Sequence, residues 1–303
     1  MQRKKTAIGL ETKLARWGWV FVAPGLLFFA LFSFYPIANA IWTSFFNKKL
    51  LSLAAPKFIG LANYIRVLTS DDFWNSARAT ITFTIGVFIP MFVMSLLFAA
   101  IITSMKKGKR IFQAALYSPA VLSSVVAALI WLLMLDPRGL ANQFMNWLSM
   151  KPGTDWKWLA DAKMVQISTM LVYIWKYLGY FTILFVTGIG KIPESVNEAA
   201  IIDGAGSIKR FFYITLPLLR PTIVLVAVMI LIQCMKTFST QYLFTQNGAP
   251  LGPINVITLN IYNTAMRDLN IGRASVMSTL LFLLMLGLTW VQLRLSRKSE
   301  DNL

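Results

Sequence analysis

Six stretches of almost unbroken apolar sequence limit what this chain can become. They lie at about 17–41, 79–104, 111–135, 166–189, 222–244 and 274–293. Each is long enough to cross the ~30 Å hydrocarbon core of a bilayer as a helix. Inside lipid every backbone donor and acceptor needs an internal partner, which only helices and closed barrels supply. The stretches lack the in–out alternation of barrel strands. The expected fold is therefore all-α: a polytopic membrane protein with six transmembrane helices, forming a single domain over 1–303. Composition agrees, since 14% of residues are charged and 57% hydrophobic, whereas soluble domains carry about a quarter charged residues.

The net charge of +17 raises the question of nucleic acid. The basic residues flank the apolar spans instead of forming one stripe, which points away from it. More than half of the 29 Lys and Arg residues fall on one side of the membrane if the N-terminus is cytoplasmic. They comprise the N-terminal group from Arg3 to Arg16, Lys106 to Arg110, the 190–220 loop, and the tail from Arg294 to Lys298. The positive-inside bias thus predicts both termini in the cytoplasm. The first apolar stretch is too long for a cleaved leader and is read as a retained helix. The single cysteine, Cys234, precludes an intrachain disulfide, and the absence of histidine removes the commonest general base and nitrogen ligand.

The longest cytoplasmic connection, 190–220, contains a predicted helix–turn–helix. Pro193 suits a first helical turn. Ser195 and Glu198 have the spacing of a capping box, which would start the helix two residues later. Val196, Ala199, Ala200 and Asp203 fall near one face, and Gly204 is suited to ending the helix with positive φ. Ser207 can cap a second short helix, and Pro217 and Pro221 precede the next span. Two readings fit: a small-residue helix that inserts into a groove on a partner, or a surface helix that only joins two spans.

One pattern in that loop is specific. Glu198-Ala199-Ala200, three residues, Gly204, nine residues, then Ile214-x-Leu216-Pro217 matches the EAA motif of ABC importer permeases. Phe21-Val22-Ala23-Pro24, Phe34-Tyr35-Pro36, Gly60-Leu61-x-Asn63-Tyr64, Ser118-Pro119-Ala120-Val121 with Ile130-Trp131, and Thr237-Phe238 leading to Leu243-Phe244-Thr245 resemble the sugar-permease branch, typified by maltose and glycerol-3-phosphate permeases. That branch often has Gly-Gly-Pro after the fifth span, where this chain has Asn247-Gly248-Ala249-Pro250.

The resemblance implies a permease subunit in a bacterial or archaeal inner membrane, importing a sugar or oligosaccharide delivered by an extracytoplasmic binding protein. The implied partners are a second, different permease and two cytoplasmic ABC ATPases. ATP and Mg would sit on the ATPases, and this chain would bind no cofactor, metal or nucleic acid. Glu198, Ala199, Ala200, Asp203 and Gly204, with Ile214, Leu216 and Pro217 of the motif, are the implied coupling residues. No productive nucleotide loop is present: Gly190-Lys191 is followed by Ile192 in place of Ser or Thr, and Phe185 stands at the first glycine position.

Polar groups inside spans are costly and mark pathways. The fourth span offers Tyr173, Trp175, Lys176, Tyr177 and Tyr180, and the fifth offers Gln233, Lys236, Thr237, Ser239 and Gln241. Aromatic faces, amides and hydroxyls suit sugars, and the two lysines suit an acidic oligosaccharide or glycerol phosphate ester. Alternatively the rings fill the bundle and the lysines snorkel. Trp147, Trp156 and Trp158 in an outer loop are either interfacial anchors or partner contacts. A membrane-embedded transferase needs a convergent acid–base cluster, and a secondary transporter needs intramembrane carboxylates. The six apolar segments contain neither.

Overall fold

The computed structural model describes residues 17–151 and 153–300, with side chains as far as 295. The basic residues Arg3 to Arg16, used above for orientation, lie outside the described residues. The elements are α1 (Trp17–Ser44), β1 (Phe46–Asn47), β2 (Lys57–Phe58), α2 (Ala62–Leu68), α3 (Asp71–Ser104), α4 (Lys109–Val121), α5 (Ser124–Met134), α6 (Leu140–Ser149), α7 (Ala162–Ile189), α8 (Glu194–Ile202), α9 (Ser207–Arg210), α10 (Leu216–Leu218), α11 (Arg220–Met235), α12 (Ser239–Gln246), α13 (Leu251–Ile254), α14 (Ile257–Met266) and α15 (Ile271–Glu300).

Five of the six expected spans each correspond to one long apolar stretch: α1, α3, α7, α11 continued after a short interruption by α12, and α15. The third is not the straight helix expected over 111–135. It breaks into α4 and α5, bent by 97°. Pro119 lies in the last turn of α4, Leu122 is extended, and the Ser123 hydroxyl accepts the Val126 N–H at 3.2 Å to start a new helix. A proline near a helix end followed by an N-cap serine favours such a break over continuation.

Two other prolines are accommodated in another way. Pro36 and Pro217 each follow a five-residue π turn, Ala30–Phe34 and Phe211–Thr215. A proline ring clashes with the carbonyl four residues earlier. A shift to i→i−5 bonding just upstream accommodates that clash: Tyr35 N–H bonds Ala30 and Leu216 N–H bonds Phe211. Pro90 lies within the uninterrupted α3.

The chain packs as two compact clusters. Among the described residues, the smaller comprises 17–67 together with 264–279. In it β1 and β2 pair antiparallel, Phe46 opposite Phe58. Buried Asn63 donates to the carbonyls of Ser44 and Phe46, both at 2.9 Å, and Ser44 Oγ meets Tyr64 Oη at 2.8 Å. The Asn63-Tyr64 pair therefore ties the end of α1 to the hairpin.

The larger cluster, 68–151 and 153–263 with 280–300, holds the main core around α3, α7 and α11. Phe83 packs edge-on against Tyr173 and Phe92 against Phe185. Asp161 starts α7 by accepting the amides of Lys163 and Met164, each at 2.9 Å. Trp156 and Trp158 stack and donate to Asn146 and Asn142, at 3.1 and 2.8 Å. Their indoles are committed within the loop, whereas Trp147 is largely exposed.

Candidate functional site

Two features in the larger cluster bear on function. The first is the loop around α8. Its helix starts at Glu194 with Pro193 in the N-cap position, so Ser195 and Glu198 do not form a capping box. Its end follows the expectation. Gly204 has φ +76°, its N–H bonds Ile201 at 3.0 Å, and Ala205 N–H bonds Ala200 at 2.9 Å. This is a Schellman turn, with the left-handed position that favours glycine. Ser207 is the first residue of α9, not its cap; Gly206 holds the cap position.

The motif residues divide by exposure. Glu198, Ala199, Asp203 and Gly204 are exposed, while Ala200 is buried against this chain. Ile214, Leu216 and Pro217 are half-buried and seat the loop on the bundle. Beside the exposed set lie Ile201, Ile202, Ile208 and Tyr213, all solvent-exposed. Ile202 is 85% exposed. The small-residue spacing of the helix gives no sign of this apolar patch, whose members lie just outside that face.

The second feature is an interior cavity of about 80 Å³ beside α7. It brings together Tyr173, Lys176, Gln233, Lys236 and Thr237 from the predicted set, with Tyr177 and Ser239. Ser124 and Thr240 add to its polar wall and Val172 and Phe238 are its aliphatic and aromatic contacts; none of the four belongs to the predicted set. Two helix breaks border it. One is the α4–α5 break, where buried Lys176 donates Nζ to the Leu122 carbonyl. The other is Lys236 to Phe238, between α11 and α12. Irregular backbone at membrane depth is tolerated where it is buried in protein or lines a cavity. The carbonyls freed near the breaks find partners: Tyr173 Oη donates to Gln233 O at 2.6 Å, and Thr258 Oγ1 donates to Thr237 O.

A neighbouring cavity of about 290 Å³ shares Tyr177 and Gln233 and adds Tyr117, Tyr180 and Phe181. Trp175 lies elsewhere, edge-on to Trp131. Gln241 is fully buried, its Oε1 accepting from Thr237 Oγ1 at 2.9 Å. Both are packing residues in this structure and line neither of these two cavities. Close packing of α7 on α4 brings the Tyr180 and Tyr117 side of the second cavity together. Gly179 permits it, since a Cβ there would lie 2.0 Å from the Leu116 carbonyl oxygen.

Comparison with known proteins identifies the fold and the family. A chain of a bacterial alginate ABC transporter, solved in complex with its alginate pentasaccharide-bound periplasmic protein, superposes with a TM-score of 0.80 at 19% identity, covering 95% of this chain and 96% of that one. The trehalose/maltose transport system permease protein MalF of Thermococcus litoralis is 30% identical over 96% of this chain and 97% of its own length. The sn-glycerol-3-phosphate transport system permease protein UgpA of Agrobacterium fabrum is 28% identical over 92% and 94%. The family described as binding-protein-dependent transport system inner membrane component matches residues 74–301. With its apolar helices and its exposed loop, the chain belongs to that family: it is a multi-pass permease component of an ABC importer, and ATP hydrolysis resides on a separate subunit.

Proposed function

We propose that this chain forms half of a path for a sugar or oligosaccharide, alongside a second, different permease. An extracytoplasmic binding protein delivers the solute. Two cytoplasmic ABC ATPases drive the cycle, holding ATP and Mg. The chain is a single transmembrane domain of a bacterial or archaeal cell membrane with both termini inside. Its 190–220 segment is the surface on which ATPase closure acts.

The observation that carries this reading is α8. It is a short exposed helix with Glu198, Ala199 and Asp203 outward, closed by a Gly204 turn and flanked by unpartnered Ile202 and Ile208. A short helix with an apolar edge suits a groove on another protein. In this arrangement Glu198 pairs with a basic residue of the ATPase, and Ala200 keeps the helix close to its own bundle. The cargo assignment draws on the trehalose/maltose and sn-glycerol-3-phosphate systems of the relatives. The aromatic and polar lining of the two cavities beside α7 supports it.

The test is gentle solubilisation, affinity isolation and identification of what accompanies the chain. A second permease and an ATPase are expected. Gly204→Pro and Glu198→Lys should each abolish uptake while leaving membrane insertion intact. Uptake that persists in both variants sinks the coupling assignment.

A further inference from the structure

We propose that the cargo is an anionic, hydroxyl-rich solute, either a sugar acid or a sugar or polyol phosphate, whose charged group is received between Lys176 and Lys236. This rests on the importer reading above and narrows its substrate class.

The charge balance of the cavity carries the inference. Two lysines from different helices, Lys176 and Lys236, line one cavity of about 80 Å³, and none of its lining residues is acidic. The apolar spans supply no carboxylate either; among α3, α4, α5, α7, α11 and α12 only Asp71 and Asp72 occur, in the first turn of α3. Ionisable side chains within a membrane pair with opposite charges or backbone carbonyls and mark solute pathways. Lys176 is only 5% exposed, so its side chain is largely removed from water.

Internal compensation is partial. Lys176 donates to the Leu122 carbonyl just beyond α4, and Lys236 is the C-cap residue of α11. A helix C-terminus offers about half a negative charge, so the cavity keeps a positive balance. The helices that begin there add to it. Ser124 opens α5, Ser239 and Thr240 open α12, and all three line the cavity. Half-helix N-termini near the bilayer midplane favour anionic groups. A structural duty at Leu122 accounts for Lys176 alone. It does not account for a second basic residue, Lys236, at the same cavity from the end of α11.

Size and lining extend the assignment from charge to class. A water occupies about 30 Å³ of liquid, so 80 Å³ holds a carboxylate or phosphate group and little more. The adjoining cavity of about 290 Å³ presents Tyr117, Tyr177, Tyr180 and Phe181. Such rings stack on sugar faces, and the tyrosine hydroxyls bond to sugar hydroxyls. A head-group site joined to an aromatic ring site fits a charged carbohydrate better than a neutral one.

The experiment uses the intact importer, isolated with its accompanying subunits and reconstituted in liposomes with its binding protein. Uptake of labelled trigalacturonate, sn-glycerol 3-phosphate and maltotriose is compared. At least one anionic probe should enter tenfold faster than maltotriose, and which one distinguishes carboxylate from phosphate. Lys236 is exposed, so Lys236→Met should fold; it should lower uptake of that probe at least tenfold, with Lys236→Arg retaining most of it. The proposal is overturned if maltotriose is the preferred probe, if neither anion enters, or if Lys236→Met leaves anion uptake unchanged. The importer reading fails by a different sign: no ATPase accompanies the chain.

Discussion

Gly179 lies directly against the backbone of Leu116, so close that a Cβ on it would sit 2.0 Å from the Leu116 carbonyl oxygen and 2.8 Å from the Tyr117 Cα. Backbone cannot yield as a flexible side chain can. The spacing between α4 and α7, and with it the cavity lined by Tyr117 and Tyr180, depends on that missing methyl.

Gly179→Val should therefore destabilise the bundle by about 1–3 kcal/mol or more, the usual range for overpacking. The measurement is the melting temperature of the detergent-purified chain. Gly287→Ala, where nothing lies within 4 Å, is the matched control and should lose nothing. Equal melting of the two variants would count against the close approach.

Gly204 has φ +76°. An L-residue in the left-handed region costs roughly 1–2 kcal/mol, and asparagine tolerates it best. Gly204→Val should uncouple ATP hydrolysis from binding-protein stimulation in reconstituted importer, and Gly204→Asn should retain most of the coupling. A valine variant as well coupled as the wild type would remove the Schellman turn from the mechanism.

Asn63 donates to the buried Ser44 carbonyl and to the part-buried Phe46 carbonyl. Leaving a buried acceptor unpaired costs about 1–3 kcal/mol. Asn63→Leu should lower thermal stability accordingly. Asn63→Asp should fare no better, since it removes the donor while keeping the shape.

Asp161 accepts backbone N–H bonds from Met164 and Lys163, which hold its carboxyl below the ordinary value of 3.8. A group whose folded value is depressed stabilises above the unfolded value and loses that contribution as pH falls through the folded one. Asp161→Ala should thus melt below the wild type at neutral pH. The gap should narrow as the pH drops below 3.8. A gap that is constant across that window would show that the carboxylate charge does not matter to the cap.

Much of this architecture was legible because hydropathy reports burial in lipid directly. Five spans follow from it, and the Glu198 to Pro217 spacing located the loop. The break at Leu122 was hidden for the same reason: α4 and α5 are each apolar, so their sum reads as one span through a 97° bend. The local signs were Pro119 and the Ser123 cap. Polarity alone also could not separate Lys176, which lines a cavity, from Gln241, which satisfies its oxygen within the core. Nor could spacing tell that Ala200 turns inward while Ile202 faces out. Those distinctions depend on which neighbours pack against α7 and α8.

The π turn at Phe211–Thr215 gives the fixed spacing of the loop motif a rotational meaning. Each helical residue advances the side-chain direction by about 100°, and a π turn spends one residue without completing an extra α turn. It acts as a phase adjuster between the Gly204 bend and the short Leu216–Leu218 helix that leads into the span. Deleting one residue there would do more than shorten the connection. It would turn Ile208 and its neighbours relative to Leu219 and re-aim the exposed surface, so length variation should be far less tolerated in 211–215 than in the outer loops.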